Sequence, residues 1–194
     1  MNLVSRVKNV LFAPKTEWTA IEAENAPHVK VFTTYVVILA LIPAVASLIG
    51  YGVIGYSVLG THVANFGWGV RQAVVQYISM LGGTYLTAVV IDMLATNFGA
   101  QKDFNRAFSL VAYAYTPMFV GGIFYLLPSL SWIASLAGIY ALYLLYIGLK
   151  PMMKVPAEKQ TGYFVVSLLV MVVVGVVLSM VLGAILLSGI AMRF

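Results

Sequence analysis

Five apolar runs, each long enough to cross a hydrocarbon layer, divide this chain and leave only short polar links between them. They lie at residues 31–51, 72–96, 107–127, 131–149 and 163–192, and a helix needs about 20 apolar residues to span a bilayer core of about 30 Å. Lipid offers no water to an unpaired peptide group, so such runs must fold as helices that satisfy their own backbones. The predicted fold is all-α: a polytopic integral membrane protein, a bundle of five transmembrane helices with a short amphipathic N-terminal segment. Residues 1–30 form a cytoplasmic leader and residues 31–194 the membrane domain. Only 9% of the 194 residues are charged, against about a quarter in soluble domains. The last run would be about 45 Å long if wholly helical, so it is predicted to tilt or to project beyond the lipid.

Lysine and arginine cross a bilayer poorly during insertion and collect in cytoplasmic loops. With the N-terminus inside, Arg6, Lys8, Lys15, Lys30, Lys102, Arg106, Lys150, Lys154 and Lys159 face the cytoplasm, leaving Arg71 and Arg193 outside. Nine cations against two put the N-terminus in the cytoplasm and the C-terminus across the membrane. These cations sit at helix ends and no basic run alternates with exposed aromatics, which argues against nucleic acid as a partner and for membrane lipid.

Residues 1–30 lack the continuous apolar core and cleavage site of a removable signal. Leu3, Val4, Val7, Val10 and Leu11 share one helical face, and Ser5, Arg6, Lys8 and Asn9 cover the other. The pattern predicts a helix lying on the membrane surface, or alternatively one docked on a partner. Pro14 ends it. Thr16 is then expected to cap a second short helix through Glu17, Trp18, Ile21 and Glu22, with Trp18 at headgroup level. The connection at residues 57–70, with Gly60, Gly67 and Gly69, reads as a loop that holds Trp68 at the interface. Leu127-Pro128-Ser129 reads as a tight hairpin, since a proline disfavours helix at the residue before it.

Asp92 is the one acid inside these runs, and an ionisable group in hydrocarbon marks a functional site by default. It lies about four residues, roughly 6 Å by helical rise, from the inner end of its span. The assigned direction brings Lys102 and Arg106 into range as counter-charges and sets Tyr113, Tyr115, Tyr140, Tyr143 and Tyr146 at similar depth, with Lys150 and Lys154 just beyond. Two readings of this layer stand side by side. In one, Asp92 pairs with Lys102 or Arg106 while the tyrosines serve as interfacial belt and interhelical hydrogen bonds. In the other, the layer lines a vestibule for a polar ligand, lipid headgroup, ion or protein segment. Pro117 cannot donate to the carbonyl of Tyr113, which predicts a kink and a free acceptor, and Pro43 does the same to Leu39. Gly175, Ser179 and Gly183 recur every four residues, and Ala134 with Gly138 repeats the spacing. Such small-residue stripes let helices approach closely, within one subunit or between copies in a homo-oligomer.

Cysteine is absent, which excludes disulfides, thiolate nucleophiles, iron–sulfur clusters and Cys-ligated zinc. His28 and His62 fall on opposite sides of the membrane in this topology, so they share neither a metal site nor a triad and read as solvated loop residues. With no H-E-x-x-H pair, Walker loop or dinucleotide fingerprint, the expectation is no enzyme, no cofactor and no catalytic residue.

Four stretches taken together carry a family resemblance: NVLFAPKTEW at 9–18, FSLVAYAYTP at 108–117, GIYALYLLYIG at 138–148 and KVPAEKQTGY at 154–163. In this order, and with five spans, the chain resembles the bacterial branch of the Yip-domain family, five-span relatives of Rab/Ypt-interacting membrane proteins. The resemblance implies a five-helix domain of the bacterial inner membrane with a cytoplasmic N-terminus, often in homo- or hetero-oligomers. Eukaryotic members are associated with Golgi and endoplasmic reticulum trafficking through Rab-type GTPases. This chain has a short leader, and it reads PHVKVFTTY at 27–35 in place of the Asp-Leu-Tyr-Gly-Pro motif of those relatives, so Rab binding is not carried over. Two functions follow as expectations. One is a non-enzymatic scaffold or adaptor whose cytoplasmic basic loops engage a protein partner or anionic lipid. The other is a small transporter, channel or lipid-handling protein built on Asp92 and the tyrosine layer.

Overall fold

The computed structural model of the protein describes residues 2–58 and 61–191. Two short helices, α1 (Leu3–Phe12) and α2 (Pro14–Glu24), precede five spans. The spans are α3 (His28–Ile54), α4 (Phe66–Phe98), α5 (Phe104–Leu126), α6 (Pro128–Met153) and α7 (Ala157–Ala191). All five are long and apolar enough to cross a membrane, as the apolar runs require. The protein is an all-α polytopic membrane protein.

Local chemistry fixes the element ends. Asn2 caps α1 by accepting from the Val4 amide at 2.8 Å, and Asp103 caps α5 by accepting from the Asn105 and Arg106 amides at 2.9 and 3.2 Å. Pro14 occupies the first position of α2, where its missing N–H is no loss. The helix therefore starts before Thr16, whose hydroxyl does not cap it but donates to the Ala13 carbonyl at 3.0 Å. Left-handed Asn25 (φ 40°) and Lys154 (φ 53°) close α2 and α6. Between α3 and α4 the structure has not a plain loop but a two-stranded antiparallel hairpin, β1 (Tyr56–Val58) with β2 (Thr61–Val63), pairing Tyr56 with Val63 and Ser57 with His62. Leu127 is extended (φ −117°, ψ 100°) ahead of Pro128, as a residue before proline must be.

The helices are not uniform. α3 widens into π turns over Phe32–Val36 and Gly50–Ile54, and its hydrogen-bond ladder breaks stride at Ala40, three residues before Pro43. The α3–α5 contact is close enough to require glycine: a Cβ on Gly50 would sit 1.9 Å from the Tyr125 carbonyl oxygen. At Pro117 the helix breaks as predicted, but the Tyr113 carbonyl is not left free. The Thr116 hydroxyl donates to it at 2.6 Å, one of the ways a membrane helix re-satisfies a freed acceptor.

α5 is the most buried span and α7 the most exposed. Phe108 and Leu110 of α5 and Leu144, Leu145, Leu149, Met152 and Met153 of α6 are buried in one core cluster. Val10, Trp18 and Ile21 of the leader belong to the same cluster. The leader is thus packed under the bundle. Trp18 is 2% exposed, enclosed by protein rather than open to lipid. Gly148 makes room for it, since a Cβ there would come within 2.7 Å of the indole. α1 also turns differently from its apolar pattern: Val4 is exposed, while Arg6 and Val10 are buried. The small residues differ in how closely neighbours approach them. A Cβ on Gly138 or Gly175 would meet nothing within 4 Å, whereas Gly121 lies against Ala137 and Ala134. Ser179 and Gly183 continue the α7 backbone, but their surroundings lie outside the described residues.

Candidate functional site

The ion pairs among the described residues lie where the leader meets the neighbouring ends of the spans, here termed the leader end. Its centre is Arg6, only 4% exposed. One guanidinium nitrogen donates to Glu17 Oε1 at 2.5 Å and the other to Glu24, while Asn9 donates to Glu17 Oε2 at 3.0 Å. The guanidinium carbon stands 5.3 Å from the centre of the Tyr113 ring, within cation–π range. Burial by itself would lower the Arg6 pKa, but the hydrogen bond to Glu24 and the charges around it hold it above its ordinary value. Tyr113 packs edge-on to Tyr35 at 4.7 Å. Since the Thr116 hydrogen goes to the Tyr113 carbonyl, the Tyr35 hydroxyl donates to Thr116 Oγ1 at 2.7 Å. Arg6, Tyr113 and Tyr35 share a cleft of about 300 Å³ with Glu24, Lys30 and Thr34.

A second cluster ties the leader to the links between spans. Glu22 bonds Lys154 and lies 3.8 Å from Arg106, which also pairs with Asp103 at 3.5 Å and reaches the Met152 carbonyl at 3.5 Å. The hydrogen bond from Lys154 holds the Glu22 carboxyl below its ordinary range, outweighing its slight burial, with the charges of Lys154 and Arg106 adding to the effect. His28 is no solvated loop residue. Its backbone amide and Nδ1 both meet Asn105 Oδ1, at 2.9 and 2.8 Å, and its ring packs edge-on to Phe104 and Phe108.

Arg106 and Lys154 thus come together on one acid, but that acid is Glu22 and not Asp92. Asp92 pairs with neither Lys102 nor Arg106. Its Oδ1 is buried with no hydrogen-bond partner among the described residues, beside Ile91, whose carbonyl accepts from the Tyr163 hydroxyl. Asp92 does not line the Arg6 cleft. The tyrosines do not form one layer around it either. Tyr115 bonds Thr87 at 2.9 Å, the Tyr140 hydroxyl donates to the Leu11 carbonyl at 2.7 Å and its ring stacks on Tyr143, and Tyr146 meets Thr161 at 3.3 Å. Pro117 is buried. The rings are spread over several contacts, and two of them, Tyr113 and Tyr140, hold the leader.

The remaining charge is lopsided. Arg6, Arg106 and Lys154 consume Glu17, Glu22, Glu24 and Asp103. Among the described residues Lys8, Lys15, Lys30, Lys102, Lys150 and Lys159 are exposed and make no ion pair, against Glu158 as the one exposed acid left unpaired at that end. The pattern of basic loops is legible from sequence. The roles of Arg6, Glu17, Glu24, Tyr35 and Thr116 are not, although Leu3, Arg6, Val7 and Val10 do follow the spacing of a buried helical face.

Five apolar spans, a leader folded beneath them and one end edged with lysine define a polytopic membrane protein with no separate soluble domain among the described residues. The chain belongs to the Yip1 domain family, whose pattern it matches over residues 8–181. It is similar to the inner membrane protein YohC of Escherichia coli strain K12, 29% identical over 166 residues that cover 82% of this chain and 85% of the relative. The YohC of Escherichia coli O6:H1 matches to the same extent. No solved structure matches the chain.

Proposed function

We propose that the protein is a non-enzymatic scaffold of the bacterial inner membrane whose leader end faces the cytoplasm and engages an acidic surface, on anionic lipid or on a protein partner. The observation that carries this reading is the charge arrangement at that end. Four acids are spent internally on Arg6, Arg106 and Lys154, and six exposed lysines remain unpaired among the described residues. Near an anionic leaflet each such cation contributes about 1 kcal/mol of attraction. The nine-to-two distribution of cations supports the cytoplasmic placement, and the names of the relatives support the membrane.

Replacing Lys102, Lys150 and Lys159 together by Gln tests the reading without touching the Glu22 clamp. Recovery of co-purifying proteins, and sedimentation of nanodiscs carrying the protein with anionic vesicles, should both be compared with the parent. Loss of one of the two identifies the surface, and no loss in either defeats the proposal. The buried, unpartnered Asp92 oxygen supports a second reading, a small transporter, channel or lipid-handling protein. Equal liposome flux by Asp92→Asn and parent, or none by either, removes it.

A further inference from the structure

We propose that the cleft between α1 and α3 holds one phospholipid with an amine-bearing, zwitterionic headgroup, its acyl chains running down the outer face of α3. This goes beyond attraction to an acidic surface and needs no protein partner.

The cleft is built for both signs of charge. Arg6, Lys30 and Glu24 line it, and the buried Glu17 neutralises Arg6 from outside the lining, so with Glu24 the local charges balance; an anionic headgroup would add an unbalanced charge and a zwitterion would not. A guanidinium carries five donors. Arg6 directs single nitrogens to Glu17 and Glu24, which leaves further N–H groups for a phosphate oxygen. Lys30 is exposed and unpaired at the mouth. Tyr113 lines the same space, and its hydroxyl has no hydrogen-bond partner among the described residues. Glu24 is 44% exposed and bonds Arg6 through Oε1 alone, so Oε2 can accept from a primary ammonium. These donors and this acceptor line one space of about 300 Å³, where the chain enters its first span.

The lipid's tail has a path as well. Thr34 at the mouth is followed on the same face of α3 by Ile38, Leu41 and Val45, all exposed. From Thr34 to Val45 the helix rises about 16 Å, close to one leaflet of a core of about 30 Å. The face opens into a groove of about 400 Å³ lined by Leu41, Val45, Ile123 and Leu126, among other apolar side chains. A headgroup in the cleft thus places its chains along a continuous apolar track.

Native mass spectrometry of the full-length protein in mild detergent tests this, with phosphatidylethanolamine, phosphatidylcholine and phosphatidylglycerol of matched chains added in equal amounts. Phosphatidylcholine keeps the charges but has no ammonium hydrogen for Glu24. Retention of phosphatidylethanolamine about tenfold above the other two is expected, the worth of one hydrogen bond to a charged group. Lys30→Ala, an exposed site with no part in the fold, should lower that retention about tenfold. Glu24→Gln should make phosphatidylethanolamine and phosphatidylcholine equal. Indiscriminate retention of the three lipids, a preference for phosphatidylglycerol, or a Lys30→Ala variant that holds phosphatidylethanolamine like the parent would overturn the proposal.

Discussion

Arg6→Met isolates what holds the leader under the bundle. In the parent, Glu17 is 5% exposed and faces the Arg6 guanidinium at 2.5 Å. Removing the guanidinium strands a carboxylate that water barely reaches, and breaking a buried pair from one side costs ~3–5 kcal/mol. The lost face over Tyr113 adds about 0.5–1 kcal/mol. Glu24 suffers less, since its side chain is 44% exposed and can be solvated. The apolar anchors Val10, Trp18 and Ile21 stay in place, so the loss falls on leader docking and not on the spans. At 1.4 kcal/mol per factor of ten, amide exchange across α1 and α2 should accelerate by roughly two and a half to four orders of magnitude. Exchange within α5 should hardly change. Adding Glu17→Leu removes the stranded charge, and exchanging a buried pair for apolar groups is often close to neutral, so the double variant should regain most of the protection. A single variant whose leader exchanges within about threefold of the parent would refute this reasoning, as would a double variant no better protected than the single.

The Glu22 clamp should be sensitive to acid. Lys154 holds the Glu22 carboxyl below its ordinary value of 4.5, so the stabilisation is present above that value and fades as pH falls through the lower, folded one. Proteolysis of the leader should therefore increase in the parent below about pH 4.5, with a smaller pH-dependent rise in Glu22→Gln, which is already looser at pH 7; identical profiles would contradict the clamp. Thr116→Val should lower thermal stability in detergent by about 1–3 kcal/mol for each group left unsatisfied, since it strips a donor from the Tyr113 carbonyl and an acceptor from the Tyr35 hydroxyl. Thr116→Ser, which keeps the hydroxyl, should lie near the parent, and a valine variant as stable as the serine one would argue against that chain of bonds.

The spans are readable from the sequence because each is a single unbroken signal, and the lysine bias adds an expected direction to them. The leader is harder. An amphipathic pattern states that a helix buries one face but not what covers it, and lipid headgroups and the underside of a bundle look alike from sequence. Arg6 reads as part of the polar side, since nothing local reveals that Glu17 and Glu24 arrive from the next helix to neutralise it. Trp18 misleads for a related reason: its pocket exists because Gly148, on a distant span, has no side chain. Proximity along the chain pairs Asp92 with Lys102 and Arg106, whereas the start of α5 turns Arg106 towards Glu22 and the Met152 carbonyl. Three-residue strands such as Tyr56–Val58 are too short for alternation to register.

The proposed function requires the end of the molecule with the unpaired lysines to lie in the cytoplasm. The absence of cysteine allows a direct measurement: single variants Lys102→Cys and Lys159→Cys at the leader end and Ser57→Cys in the hairpin, labelled with a membrane-impermeant maleimide in intact spheroplasts and in inverted vesicles. If the account holds, the two leader-end thiols are inaccessible in spheroplasts and react in inverted vesicles, while the hairpin thiol shows the reverse. Labelling of the leader-end sites from outside intact spheroplasts would contradict it.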